Sequence, residues 1–148
     1  MDFGPIVAEH RIWWDEHRAG EASDLPALGL FKALRNFVHP LLDSRYNPRP
    51  GVDWHGEAEE ALGDAFMYLC SVGHAAALGL RAPRGKLLYL TAEEAAAGMA
   101  EAFAALSNMQ TQHNLDWTVA AILAACKVCA VDSEVACRRA LCKLLSVS

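Results

Sequence analysis

Glu57, Glu60 and Asp64 stand at i, i+3 and i+7 within an alanine-rich stretch of helix-forming composition. That spacing puts three carboxylates on one face of a helix, and oxygen donors of this kind suit a hard divalent cation such as Mg²⁺. The same stripe also reads as a solvated face: Leu62, Phe66 and Leu69 project to the opposite side, and acids near a helix N-terminus favour the helix dipole with no further role. Glu59 departs from the stripe and projects close to Phe66 and Cys70. It is expected either in exposed first turns or buried beside a partner. Glu94 and Glu101, at i and i+7, share a face of a second acidic stretch, but roughly 10 Å of helical rise separates them, so they do not grip one ion unaided.

Other residues with chemical potential are less organised. Trp13, Trp14 and Trp54, together with Trp117, have indole faces that either stack on a flat ligand or fill a core. His10 and His17 share a stripe two turns apart and are no chelating pair; His39, His55, His74 and His113 are scattered. Cys126, Cys129, Cys137 and Cys142 follow a C-x2-C-x7-C-x4-C pattern. Both pairs lie in helix-forming context, not in the Gly- or Pro-containing turns of zinc knuckles, so they read as small core hydrophobes and zinc is not expected. No Ser-His-Asp order, phosphate loop, GxGxxG or HExxH motif is present, and Arg84-Gly85-Lys86 matches no phosphate-loop spacing.

The elements that must position these groups are helical. Ala, Leu, Glu and Arg dominate and no stretch alternates with period two, so the chain is expected to be all-α, a compact bundle of about five to six helices. The first covers residues 4–18. The second follows the Ser23-Asp24 cap with Pro26 in its first turn, and Pro40 is expected to kink or thin its end. Asp53 caps the third, which runs to about residue 78. Thr91-x-x-Glu94 is a capping box for the fourth. The fifth is expected to begin near Asp116-Trp117 and, being apolar almost all round, to be buried. Asp132 or Ser133 caps a short sixth helix. Residues 79–86, GLRAPRGK, are the expected hinge of a single domain, 1–148, with a two-part organisation of 1–80 and 91–148. The Asp-Trp dipeptides at 53–54 and 116–117 hint at an internal duplication.

Composition narrows the class. The chain has 148 residues, 53% of them hydrophobic, and a net charge of −5. It is long enough for a real core and too hydrophobic for a disordered tail, and its acidity disfavours a nucleic-acid partner. The most apolar run, residues 118–131, is too short to span a bilayer and contains Lys127. Five cysteines with no secretion signal imply reduced thiols and a cytoplasmic protein.

Residues 60–80, EALGDAFMYLCSVGHAAALGL, resemble the second metal-binding helix of the MazG-like all-α nucleoside triphosphate pyrophosphohydrolases through Glu60, Leu62, Gly63, Asp64, Tyr68, Leu69 and Leu78-Gly79-Leu80. Residues 91–103 and 129–144 resemble, more distantly, a carboxylate helix and the C-terminal segment of that family. Ala61 stands where the family has a glutamate ligand, and residues 28–42, LGLFKALRNFVHPLL, carry no carboxylate. The resemblance therefore implies a Mg²⁺ site that is degenerate, or one rebuilt from Glu57, Glu60, Asp64, Glu94 and Glu101. Two functional readings follow. One is a Mg²⁺-dependent (d)NTP pyrophosphohydrolase, in which the ion bridges carboxylates and phosphates and activates a water. The other is a non-catalytic helical module that forms a homodimer or holds a ligand or protein partner.

Overall fold

Helix starts follow from side chains able to take up the first free N–H groups. In the computed structural model, which describes residues 1–147, Asp53 accepts from the Gly56 N–H, Thr91 from Glu94 and Thr111 from Asn114. Asp132, not Ser133, caps the last helix, accepting from the N–H groups of Glu134 and Val135 at 3.0 and 3.1 Å. Six helices result: α1 (Gly4–His17), α2 (Asp24–Tyr46), α3 (Trp54–Ala76), α4 (Ala92–Asn108), α5 (Gln112–Val128) and α6 (Ser133–Val147). None of the helices among the described residues is long and apolar enough to cross a membrane.

Two local expectations need correction. Helix α5 begins at Gln112, four residues before Asp116, because Thr111 supplies the cap. The Asp-Trp dipeptides therefore occupy different places: Asp53 is the cap of α3, whereas Asp116-Trp117 lies in the second turn of α5. This removes the structural basis of the suggested duplication. Ser23 makes no side-chain cap; its hydroxyl donates instead to Gln110 at 2.9 Å, tying the start of α2 to the α4–α5 connection. Helix α2 continues past Pro40 to Tyr46. The buried proline leaves the Asn36 carbonyl without its helical N–H donor, thinning the hydrogen bonding of the last turns as its position led us to expect.

The arrangement centres on α3. It packs against α1, α2, α5 and α6, while α4 packs against α2 and α5. Thirteen of its 23 residues are buried. Between Ala58 and Gly73 only Glu60, Asp64 and Tyr68, one residue per turn, escape burial. One continuous apolar cluster draws on all six helices, so both parts of the chain share a single core. Phe3 of α1's cap meets Phe66 of α3 at 5.9 Å between ring centres, and Phe31 of α2 meets Phe103 of α4 edge-on at 6.4 Å.

Alanine permits this close approach, and at one point even alanine is too large. A Cβ on Gly63 would overlap the carbonyl oxygen of Ala136 on α6 and come within 3.1 Å of the Ala140 methyl. Replacing Gly63 by Ala is expected to lower stability by about 1–3 kcal/mol, because backbone must move to admit the methyl. Urea denaturation midpoints of the two proteins measure it.

Candidate functional site

The exposed stripe of α3 is the floor of a groove walled by α2 and α6. Asp64 borders three adjoining clefts there. One, of about 200 Å³, is lined by Arg35, Asn36 and His39 of α2 and by Glu57, Glu60 and Asp64 of α3. A second, also about 200 Å³, opens toward Arg139 and Lys143 of α6. The third, about 310 Å³, adds Lys32 and Tyr68. Lys32, Arg35 and His39 fall on one face of α2 because they are spaced i, i+3, i+7. The two lysine and arginine side chains form no ion pair within 4 Å among the described residues.

The floor carboxylates already have a cation. The Lys143 ammonium lies 2.9 Å from Asp64 and 3.2 Å from Glu60. Burial works against its charge, but Asp64, and then Glu60, outweigh that and raise its pKa above the ordinary lysine value. Glu59 is buried and bonded to Arg139, the partnered outcome of the two that its helical position allowed. Glu57 lines the groove and is exposed.

Of the five carboxylates with metal-ligating potential, the fold thus brings together Glu57, Glu60 and Asp64. Glu94 and Glu101 line none of these clefts. The Glu94 N–H donates to the Thr91 hydroxyl at 3.1 Å, and the Glu94 carboxylate accepts from the Leu90 N–H, one residue before the cap, at 3.3 Å. Glu94 and Glu101 flank Tyr89, whose phenol is pushed above its usual pKa by burial first, then by Glu101 and Glu94. No group of three or more His, Cys, Asp or Glu side chains among the described residues converges in a metal-holding arrangement. Lys143 thus occupies Glu60 and Asp64, two of the carboxylates from which the MazG resemblance would build a Mg²⁺ site.

No protein-family model, curated protein or solved structure matches this chain.

The tryptophans divide by surroundings. Trp14 is buried; Trp54 packs edge-on against Phe37 at 5.4 Å; Trp13 stacks on His17 at 5.5 Å. None of these three lines a cleft at the groove.

A second polar cluster, invisible in the sequence, lies between α1 and α3. His10 is fully buried, its ring stacked on His74 at 5.0 Å, with the Ser71 hydroxyl 3.4 Å from its Nε2. The His10 Nδ1 and His74 Nε2 atoms are buried without a hydrogen-bond partner. Burial, and then the neighbouring His74, hold the His10 pKa down to about 4, against a smaller opposing effect of the Met67 backbone. His74 is lowered too, by burial and then Arg11, with Asp15 opposing. A signal for this pair was absent because i-to-i+n spacing reports neighbours on one helix only.

The cysteines are mostly interior. Cys70, Cys126 and Cys137 are buried, Cys129 is half-buried and Cys142 is exposed. Burial pushes the thiols of Cys70 and Cys126 up to about 12 and that of Cys129 up to about 11, and raises Cys137 as well. A thiol-specific reagent at neutral pH is expected to modify Cys142 rapidly in the folded protein. Cys70, Cys126 and Cys137 should react only on denaturation; absorbance kinetics with and without urea read this out.

The histidine pair predicts an acid-side loss of stability. His10 binds protons more weakly folded, at about 4, than unfolded, at about 6.5. Its neutral form therefore supports the fold fully above the unfolded value, and that support falls as pH drops from about 6.5 toward 4, by roughly 3 kcal/mol in all. Replacing His10 by Phe should flatten this part of a melting-temperature profile measured across pH.

Proposed function

We propose that this chain is a helical ligand-binding module whose site is the groove between α2, α3 and α6, and that it takes a small anionic molecule without a divalent metal. The observation that carries this is the position of Lys143. Its ammonium stands on Asp64, the one residue matching the metal-ligand motif of the MazG resemblance, and on Glu60 beside it. The Lys143 ammonium offsets one of the negative charges that Glu57, Glu60 and Asp64 bring to the floor, and Lys32 and Arg35 on the α2 wall supply the positive charge that attracts a phosphate or carboxylate. Arg35 borders the cleft together with the Asn36 amide and His39, a set of donors suited to oxyanions.

A metal-dependent hydrolase is the second reading, favoured by the shared cleft of Glu57, Glu60 and Asp64. The two differ in what they require. Calorimetric titration with inorganic pyrophosphate and a (d)NTP panel is expected to give the same binding in Mg²⁺ and in EDTA. Arg35→Ala is expected to weaken it about tenfold, the loss of one charge-assisted hydrogen bond. Pyrophosphate release that requires Mg²⁺ and disappears in Asp64→Ala would establish the hydrolase instead.

A further inference from the structure

Residues 79–90, between α3 and α4, form a strap over α5 that is fixed at both ends. At its start, the Gln112 amide donates to the Gly79 carbonyl at 2.8 Å and to Asp116 at 2.8 Å, while the Gly79 N–H donates back to Gln112 at 3.3 Å. Arg81 then forks onto both Asp116 oxygens, with contacts of 2.6 and 3.1 Å. Burial opposes the charge of Asp116, but Arg81 and Gln112 outweigh it and hold its pKa below the usual range. At the other end, Tyr89 lies against Gly98 of α4 so closely that a Cβ there would overlap the phenol, and Leu87 packs on the core.

Between these anchors the strap stands off α5 and borders an open cleft of about 350 Å³, larger than any of those bordering Asp64. Its walls are Pro83 and Ala120, its aromatic side is Trp117, and Arg84, Lys86 and His113 rim it; the paired Arg81 and Asp116 also border it, the carboxylate already taken by the Arg81 fork. The cleft continues along α5 to Lys127. Arg84, Lys86 and Lys127 form no ion pair within 4 Å among the described residues. Residues 80–90 carry three cations and no acid in a chain of net charge −5.

An indole beside small apolar walls accepts a flat ring by stacking, while arginine and lysine at the rim bind phosphate oxygens. The size fits a small-molecule pocket. We propose that the strap and α5 form a binding site for a planar aromatic ring carrying a phosphate, a mononucleotide-type ligand, with Trp117 under the ring and Arg84 and Lys86 on the phosphate. This site is separate from the α2–α3–α6 groove and does not depend on the reading given for it.

Calorimetric titration of the full-length protein tests this, with adenosine 5′-monophosphate and flavin mononucleotide as probes and adenosine and ribose 5-phosphate as the halves. At least one probe is expected to bind with Kd below about 1 mM, and both halves at least tenfold more weakly. Trp117→Leu and the double variant Arg84→Ala/Lys86→Ala should each weaken the probe about tenfold or more, with folding checked by circular dichroism melts. The assignment is overturned if neither probe binds, or if the folded Trp117 and Arg84/Lys86 variants bind as wild type does. It is equally overturned if Arg35→Ala causes the loss, which would locate the ligand in the α2–α3–α6 groove.

Discussion

The burial of α3 is the constraint on which the rest depends. A helix covered on almost every side can carry large side chains only where its neighbours leave room, and polar ones only where a partner reaches them. Ala58, Ala61, Gly63 and Ala65 meet the first condition, letting α2 and α6 approach closely. Glu59 meets the second through Arg139. The single line of residues left uncovered, Glu60, Asp64 and Tyr68, is therefore both the remainder of the packing problem and the floor of the groove.

Electrostatics then follow from geometry. Carboxylates lined up along one stripe repel one another, so a cation from the facing helix is favoured there. Lys143 supplies it from α6. The outer ion pairs, such as Arg11–Asp15 and Arg138–Glu9, are open to water and contribute little. The α1–α3 junction is the exception to polar satisfaction. Buried His10 stacks there on half-buried His74, each with one shielded and unpartnered ring nitrogen, which the fold tolerates in the neutral state.

The strap solves a different packing problem. Helix α5 is apolar around most of its circumference, yet its neighbours α3 and α4 cover only part of it. Leu87 packs on the core, and Pro83, Leu87 and Leu88 of the strap border the clefts along α5 together with Ala120, Leu123 and Ala124. The segment expected as a hinge is tied to α5 by Gln112 and by the Arg81–Asp116 fork. The all-round hydrophobicity of α5 was thus a correct sign of burial. Part of its cover comes from irregular chain, which leaves no periodic signal to detect.

What the sequence determined by itself is local. The caps at Asp53 and Thr91, the helical periodicity and the lack of alternation are enough for six helices and an all-α bundle, since each depends on residues within a turn or two of one another. The common face of Glu57, Glu60 and Asp64 was legible for the same reason. Only the tertiary structure decided what faces them. Lys143 on the carboxylates, His10 against His74, Arg139 on Glu59 and Trp117 beneath the strap all join residues from different elements. An apolar stripe states that a helix has a covered face, but not which helix covers it. For that reason the charges that meet across the groove could be assigned only once α2, α3 and α6 were packed together.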